Sequence, residues 1–273
     1  MKKYSIVFDN KCAVCNRGVK ALQSIGFMDL NQGIELDQFQ SNELACNVDL
    51  ERACDEMAVI NNQTLDVSYG YEGYINLLSV NHKRLASLLS TKGVKLFLNP
   101  FYLFIASNRR VIAPVQPSPT TCSPKLKKPY RFAFLVLIAL YAVTVTYVKG
   151  SLLSRYDHFS FLTGWRLIII TGIGWFVTGI LYQKPNKWNY WGHLAMIAGI
   201  AVFIQTLGIF GYLFYPSILW ITMSIVISDL VMIWMHYRRI NILGGKQRQT
   251  FIWWLILHST AICMIIFYLK DVL

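Results

Sequence analysis

The sequence predicts an α/β domain at the amino terminus followed by an all-α transmembrane helical domain of about five spans. Three observations carry this expectation. The first 26 residues read as strand, Cys-x-x-Cys turn and helix; 11 of the 14 acidic side chains fall within residues 1–130; and five apolar segments of membrane-spanning length follow.

The chain has 273 residues, 55% of them hydrophobic and 15% charged, which is more apolar than an ordinary soluble protein. Beyond residue 130 the only acidic residues are Asp157, Asp229 and Asp271. The formal net charge of +12 divides into +4 before that point (15 − 11) and +8 after it (11 − 3). Basic clusters that flank apolar segments are topology signals, so the expected partner is a lipid bilayer and no nucleic acid.

Tyr4 to Phe8 is a β-branched and aromatic run ending at the turn-prone Asp9-Asn10, and it predicts a strand. After Met1-Lys2-Lys3 this run is too short for the roughly 7–15-residue core of a signal peptide, so the first domain is expected not to be exported. From Ala13 to Ile25 the positions Val14, Val19, Leu22 and Ile25 recur at helical spacing, and Gly26 is placed to end the helix. Ile34 to Phe39 alternates apolar and polar; Ala58–Ile60 and Leu65–Val67 flank Asn61-Asn62-Gln63 as a hairpin; Tyr74 to Leu89 reads as helix. Val111 to Pro129 holds five of the eight prolines, which favours neither helix nor sheet. The expected organisation is a Cys-x-x-Cys domain at 1–112, a Pro/Lys-rich linker at 113–130 and membrane helices at 131–273.

The apolar segments are Phe132–Val148, Leu162–Tyr182, Gly192–Tyr215, Pro216–Tyr237 and Phe251–Leu269. Each has the roughly 17–25 residues a membrane helix needs. Lys125, Lys127, Lys128 and Arg131 precede the first, Lys184 and Lys187 follow the second, and Arg238, Arg239, Lys246 and Arg248 follow the fourth. Lys149 and Arg155, read as loop residues on the opposite side, are a weaker signal. The positive-inside rule then puts the Cys-x-x-Cys domain in the cytoplasm, with the inner (cytoplasmic) membrane of a bacterium as the expected location.

Two thiols at i and i+3, between a strand and a helix, can close into a disulfide with little backbone movement. Cys12 sits at the helix N-terminus, where unpaired N–H groups and the macrodipole favour a thiolate, and Lys11 and Arg17 act in the same sense. Cys12 is therefore the expected nucleophile and Cys15 the residue that resolves its mixed disulfide. A half zinc site or two structural cysteines are the competing readings; zinc normally takes four ligands, and Cys46 and Cys54 are the available complements. Those two, eight positions apart, are alternatively a second regulatory pair or ordinary free thiols.

Val7-Phe-Asp-Asn-Lys-Cys-Ala-Val-Cys-Asn16, with Tyr102-Leu-Phe-Ile-Ala-Ser-Asn-Arg109, resembles the DCC family of predicted thiol-disulfide oxidoreductases, whose Asp, Cys and Cys correspond to Asp9, Cys12 and Cys15. The similarity covers roughly residues 4–112. It implies a thioredoxin-like fold and dithiol-disulfide chemistry. Asn10 stands where the family usually has Gly, and no proline precedes Pro100, whereas thioredoxin sets a cis-proline against its active site. Asn tolerates the left-handed conformation better than most residues. Asp9 is either a proton acceptor or a turn former.

Within the spans, Asp229 and His258 fall at similar depth and form a candidate intramembrane polar pair, on a proton or quinone path or as a structural hydrogen bond. Haem ligation by His193 and His258 is a weaker reading, and Cys263 reads as packing. The expected function is a membrane-tethered thiol-disulfide oxidoreductase acting on a protein or small-molecule disulfide or thiol, with no cofactor. The alternatives are a transporter or scaffold regulated by a redox-sensing domain, and a quinone-linked electron-transfer protein.

Overall fold

The structure, a computed structural model, describes residues 3–29, 32–39, 47–116, 122, 124–182, 187–243 and 252. The chain divides into two compact units, Met1–Arg131 and Phe132–Leu273.

The first unit runs β1 (Tyr4–Phe8), α1 (Ala13–Ser24), β2 (Gly33–Glu35), α2 (Leu36–Phe39), α3 (Leu50–Asp55), β3 (Ala58–Asn61), β4 (Val67–Tyr69), α4 (Gly70–Asn81), α5 (Lys83–Ser90) and α6 (Lys92–Ile112). The strands form a mixed sheet in the order β2-β1-β3-β4. β1 and β2 are parallel across the α1 crossover, and β3 and β4 return antiparallel. This is the small thioredoxin-like arrangement of sheet and helices that the resemblance implied.

Period-two alternation along β1 divides the core. Tyr4, Ile6 and Phe8 face one layer with Cys12, Cys15, Val19, Met57 and Leu77. Val7 faces the other with Phe39, Val48, Ala53 and Ile60. Each fully buried apolar side chain contributes about 1.5–3 kcal/mol, so two sets on opposite faces hold the sheet between its helices.

Two local expectations change, and one helix is added. Leu65 lies in the turn and not in a strand: its φ is +62°, and its N–H donates to Asn61 O at 2.8 Å, so β4 starts at Val67. The helix expected over Tyr74–Leu89 is two helices, broken at His82 (φ −131°, ψ 60°). A third helix, α6, carries the Tyr102–Arg109 segment and has Pro100 inside it. At Gly70 (φ +59°) a Cβ would stand 2.5 Å from Glu56 Oε2, which is why glycine opens α4.

Helix α7 (Lys128–Leu153) starts inside the expected linker and enters the second unit. There follow a short 3-10 turn (Asp157–Phe159), α8 (Gly164–Leu181), α9 (Lys187–Phe214) and α10 (Ile218–Ile242). Among the described residues three helices, α7, α9 and α10, are long and apolar enough to cross a membrane; α8 is apolar but shorter. The expected fifth span, with His258 and Cys263, lies outside the described residues apart from Ile252. α9 and α10 form a close hairpin in which a Cβ on Gly208 would run into Ser224 Oγ. Phe203, Leu207, Phe210, Leu219, Ile227, Leu230 and Trp234 stay exposed on this hairpin, as lipid-facing residues would.

Lys149 is not a loop residue. α7 continues to Leu153, and the buried ammonium donates to Gln205 Oε1 at 2.7 Å, while Gln205 Nε2 donates to Ser228 Oγ at 2.9 Å. With its charge satisfied from α9, Lys149 no longer has to end the helix.

Candidate active site

Cys12 is the N-cap of α1. Its backbone is extended (φ −82°, ψ 109°), its N–H donates to Asp9 O at 3.1 Å, and its Sγ accepts from Cys15 N at 3.4 Å. A sulfur in the N-cap position thus takes one of the amide donors that a helix start leaves unpaired. Both cysteines are free thiols; Cys12 is 0% exposed and Cys15 5%.

The hydrogen bond from Cys15 is the largest influence on Cys12. With the Cys15 backbone amide and the Arg109 charge it outweighs burial and the Asp9 carboxylate, and the Cys12 thiol is lowered to about 6. The same hydrogen bond, then burial, pushes Cys15 up, so this thiol keeps its proton while Cys12 ionises. The cation that acts on the pair is Arg109, delivered by α6, and not Lys11 or Arg17 beside the motif.

Asp9 forms the turn and also holds a charge. Its Oδ1 accepts from Lys11 N at 3.1 Å and its Oδ2 from Arg110 Nη2 at 2.6 Å. Asn10 secures the same turn from outside by donating to Glu35 Oε2 at 2.9 Å. Arg110 Nη2 also donates to the carbonyl of Cys122. Arg109, 3% exposed, donates to the carbonyls of Cys54 and Asp55, and its buried Nε has no hydrogen-bond partner among the described residues.

Met57, immediately before β3, packs in the same cluster as the two thiols. Its N–H donates to Tyr102 Oη at 3.2 Å, and Tyr74 Oη donates to its sulfur at 2.9 Å. Burial pushes Tyr102 up to about 12 and Tyr74 further, so both phenols keep their protons, Tyr74 donating to the Met57 sulfur and Tyr102 accepting from the Met57 amide.

Cys54 is neither a free thiol nor the partner of Cys46. It forms a disulfide with Cys122, 68 positions away in the linker. Cys46 lies outside the described residues. Cys54 is therefore not available as a zinc ligand, and among the described residues no group of three or more His, Cys, Asp or Glu is arranged to hold a metal.

In the second unit Asp229 and Lys149 act electrostatically on each other and both line a cavity of about 930 Å³ with Gln205 and mainly apolar side chains. His258 lies outside the described residues. His193 Nδ1 is 2.8 Å from Arg239 Nη1, which commits that ring nitrogen to the helix α10 contact.

No curated protein and no solved structure matches the chain. Residues 6–113 match the family model described as DCC1-like thiol-disulfide oxidoreductase, a stretch that holds the last three residues of β1, both free thiols and all of α6. The chain therefore carries a DCC1-like thiol-disulfide oxidoreductase domain at residues 6–113, followed by helices long and apolar enough to cross a membrane.

Proposed function

We propose that the protein is a membrane-tethered thiol-disulfide oxidoreductase in which Cys12 and Cys15 cycle between dithiol and disulfide. The observation that carries this reading is the Cys12 sulfur at the α1 N-cap, accepting from Cys15 N, with the Arg109 cation acting on both thiols. The Cys12 thiolate attacks one sulfur of a partner disulfide and expels the other as a thiolate. Cys15 then gives up its proton, attacks Cys12 Sγ and releases the reduced partner. The substrate is a protein or small-molecule disulfide. Asp9 orders the turn through Lys11 N and Arg110 and is not needed as the proton acceptor.

The basic residues at Lys125, Lys127, Lys128, Arg131, Lys187, Arg238 and Arg239 support a cytoplasmic domain in a bacterial inner membrane. A membrane-impermeant maleimide applied to intact cells tests this, since a cytoplasmic domain keeps its thiols unlabelled until the cells are lysed.

Titrating the full chain through defined glutathione buffers, with alkylation and peptide mapping, tests the chemistry. A reversible two-electron transition at Cys12 and Cys15 that vanishes in Cys12→Ser supports the reading. Thiols that never pair reject it, and turnover with an external thiol donor separates an enzyme from a redox sensor that regulates the membrane helices.

The cavity lined by Lys149, Gln205 and Asp229 favours a second reading, in which the membrane unit takes a lipophilic acceptor such as a quinone. Quenching of tryptophan fluorescence by a soluble quinone analogue, weakened in Lys149→Met, is its test.

A further inference from the structure

We propose that Cys54 and Cys122 form a second dithiol-disulfide couple, which exchanges electrons with Cys12 and Cys15 and serves as their portal to external thiols and disulfides. This rests on the redox role proposed for Cys12 and Cys15, and it names the disulfide that Cys12 attacks.

Access comes first. Cys12 is 0% exposed and Cys15 5%, so an external disulfide has no sulfur to meet at the motif itself. Cys54, at the end of α3, is only partly buried and is the least buried residue of the four. The two pairs are also joined through α6. A single nitrogen, Arg110 Nη2, bonds both the Asp9 carboxylate and the Cys122 carbonyl. Asp9 in turn accepts the Cys12 N–H, so one guanidinium nitrogen separates the Cys12 turn from the backbone of the second disulfide. The neighbouring Arg109 bonds the Cys54 carbonyl and acts electrostatically on Cys12 and Cys15. The Arg109 cation favours the thiolates that exchange produces at Cys12 and Cys15 and stands against the backbone of Cys54. The linker that bears Cys122 is held against α3 by Lys125, whose N–H donates to Asp55 Oδ1 and whose Nζ meets Glu51, both at 2.7 Å. An opened Cys122 therefore stays close enough to close again.

The exchange balances internally. The Cys12 thiolate attacks Cys122 Sγ; the Cys12–Cys122 bond forms, the Cys54–Cys122 bond breaks, and Cys54 leaves as a thiolate that takes up a proton. Cys15 loses its proton and attacks Cys12 Sγ; the Cys12–Cys15 bond forms, and Cys122 leaves as a thiolate and is protonated. Two electrons pass from the first pair to the second with no outside reagent. Reduced Cys54 then attacks an external disulfide, and an external dithiol attacking Cys54 drives the sequence in reverse.

The test uses the full chain in nanodiscs with Cys46 and Cys263 replaced by Ser. In Cys15→Ser the first intermediate cannot be resolved, so alkylation followed by peptide mapping should find Cys12 bonded to Cys122 and Cys54 alkylated. In Cys54→Ser, and independently in Cys122→Ser, exchange of Cys12 and Cys15 with an external dithiol should be lost. Absence of the Cys12–Cys122 adduct, with Cys12 and Cys15 cycling as fast in Cys54→Ser as in the parent, overturns the proposal and leaves the disulfide as a staple. A Cys54–Cys122 pair that opens and closes while Cys12 and Cys15 never pair overturns both the portal and the functional reading. The peptide map distinguishes the two failures.

Discussion

Arg110 donates to the Asp9 carboxylate at 2.6 Å across 101 positions of sequence, and Asp9 is 5% exposed. The pair ties the end of α6 to the turn that presents Cys12. The motif aspartate is thus an anchor for a cation as well as a turn former, and the geometry of Cys12 depends on a helix that follows the whole sheet.

Arg110→Ala should loosen this turn. Breaking a buried ion pair costs about 3–5 kcal/mol, and because Arg110 is 18% exposed, water recovers part of the loss, leaving about 2–3 kcal/mol. All eight tryptophans lie beyond residue 131, so their fluorescence does not report on this unit. Hydrogen exchange of the β1 amides does, and unchanged protection of Tyr4–Phe8 in the variant would show that the pair is not stabilising.

The Cys12 thiol, lowered to about 6, predicts a particular pH profile. Only the thiolate reacts, so the rate of labelling at Cys12 by iodoacetamide, a small reagent that reaches it through local opening and needs no docked disulfide, should rise with pH to half its plateau near pH 6 and stay flat through pH 8. Cys15, pushed the other way, should remain unlabelled across that range. A Cys12 profile centred near the ordinary thiol value of about 8.5 would mean that the N-cap contact is absent in solution.

The strand, the Cys-x-x-Cys turn and α1 are legible in the sequence because each depends on neighbours: a β-branched run, a helical period, and Gly26 with φ +74° to end it. The membrane helices are legible because composition alone selects them. Leu65 is not, since a left-handed leucine defies its strand-forming preference, and neither is the break at His82, where the apolar pattern continues unbroken. Arg109 was visible only as part of a family-like segment; what placed it beside the thiols is the packing of α6. The Cys54–Cys122 bond joins a helix end to a Pro-rich linker over 68 positions, and no local pattern encodes such a closure. Lys149 reads as a loop residue because a lysine inside an apolar run marks a helix end unless a partner such as Gln205 satisfies it.

Arg109→Lys and Arg109→Gln separate charge from packing at the thiol pair. The guanidinium lowers the Cys12 thiol, so Gln should move the labelling midpoint upward from about pH 6, while Lys, which keeps the charge but not the fork, should move it less. A purely structural role would slow labelling in both variants and leave the midpoint in place, which makes the pH profile the deciding measurement.

Inside the membrane unit, Lys149 and Asp229 should behave as a compensating pair. Lys149 is buried and bonded to Gln205, which in turn bonds Ser228, so its ammonium is held at the α7–α9–α10 junction. Lys149→Met removes the positive charge and leaves Asp229 as an acidic residue in an apolar helix, a situation that costs roughly 2.5–3.5 kcal/mol at mid-membrane depth. Asp229→Asn does the reverse and leaves the ammonium with Gln205 alone. If the two charges compensate, each single variant should lower the thermal midpoint of the detergent-solubilised chain, and the double variant should recover part of the combined loss. Strictly additive losses would mean that Asp229 and Lys149 are independent. Asp229→Asn also bears on the second functional reading, because an amide keeps the capacity to hydrogen-bond and abolishes proton exchange. Turnover that survives this substitution unchanged would remove Asp229 from any proton path coupled to the thiols.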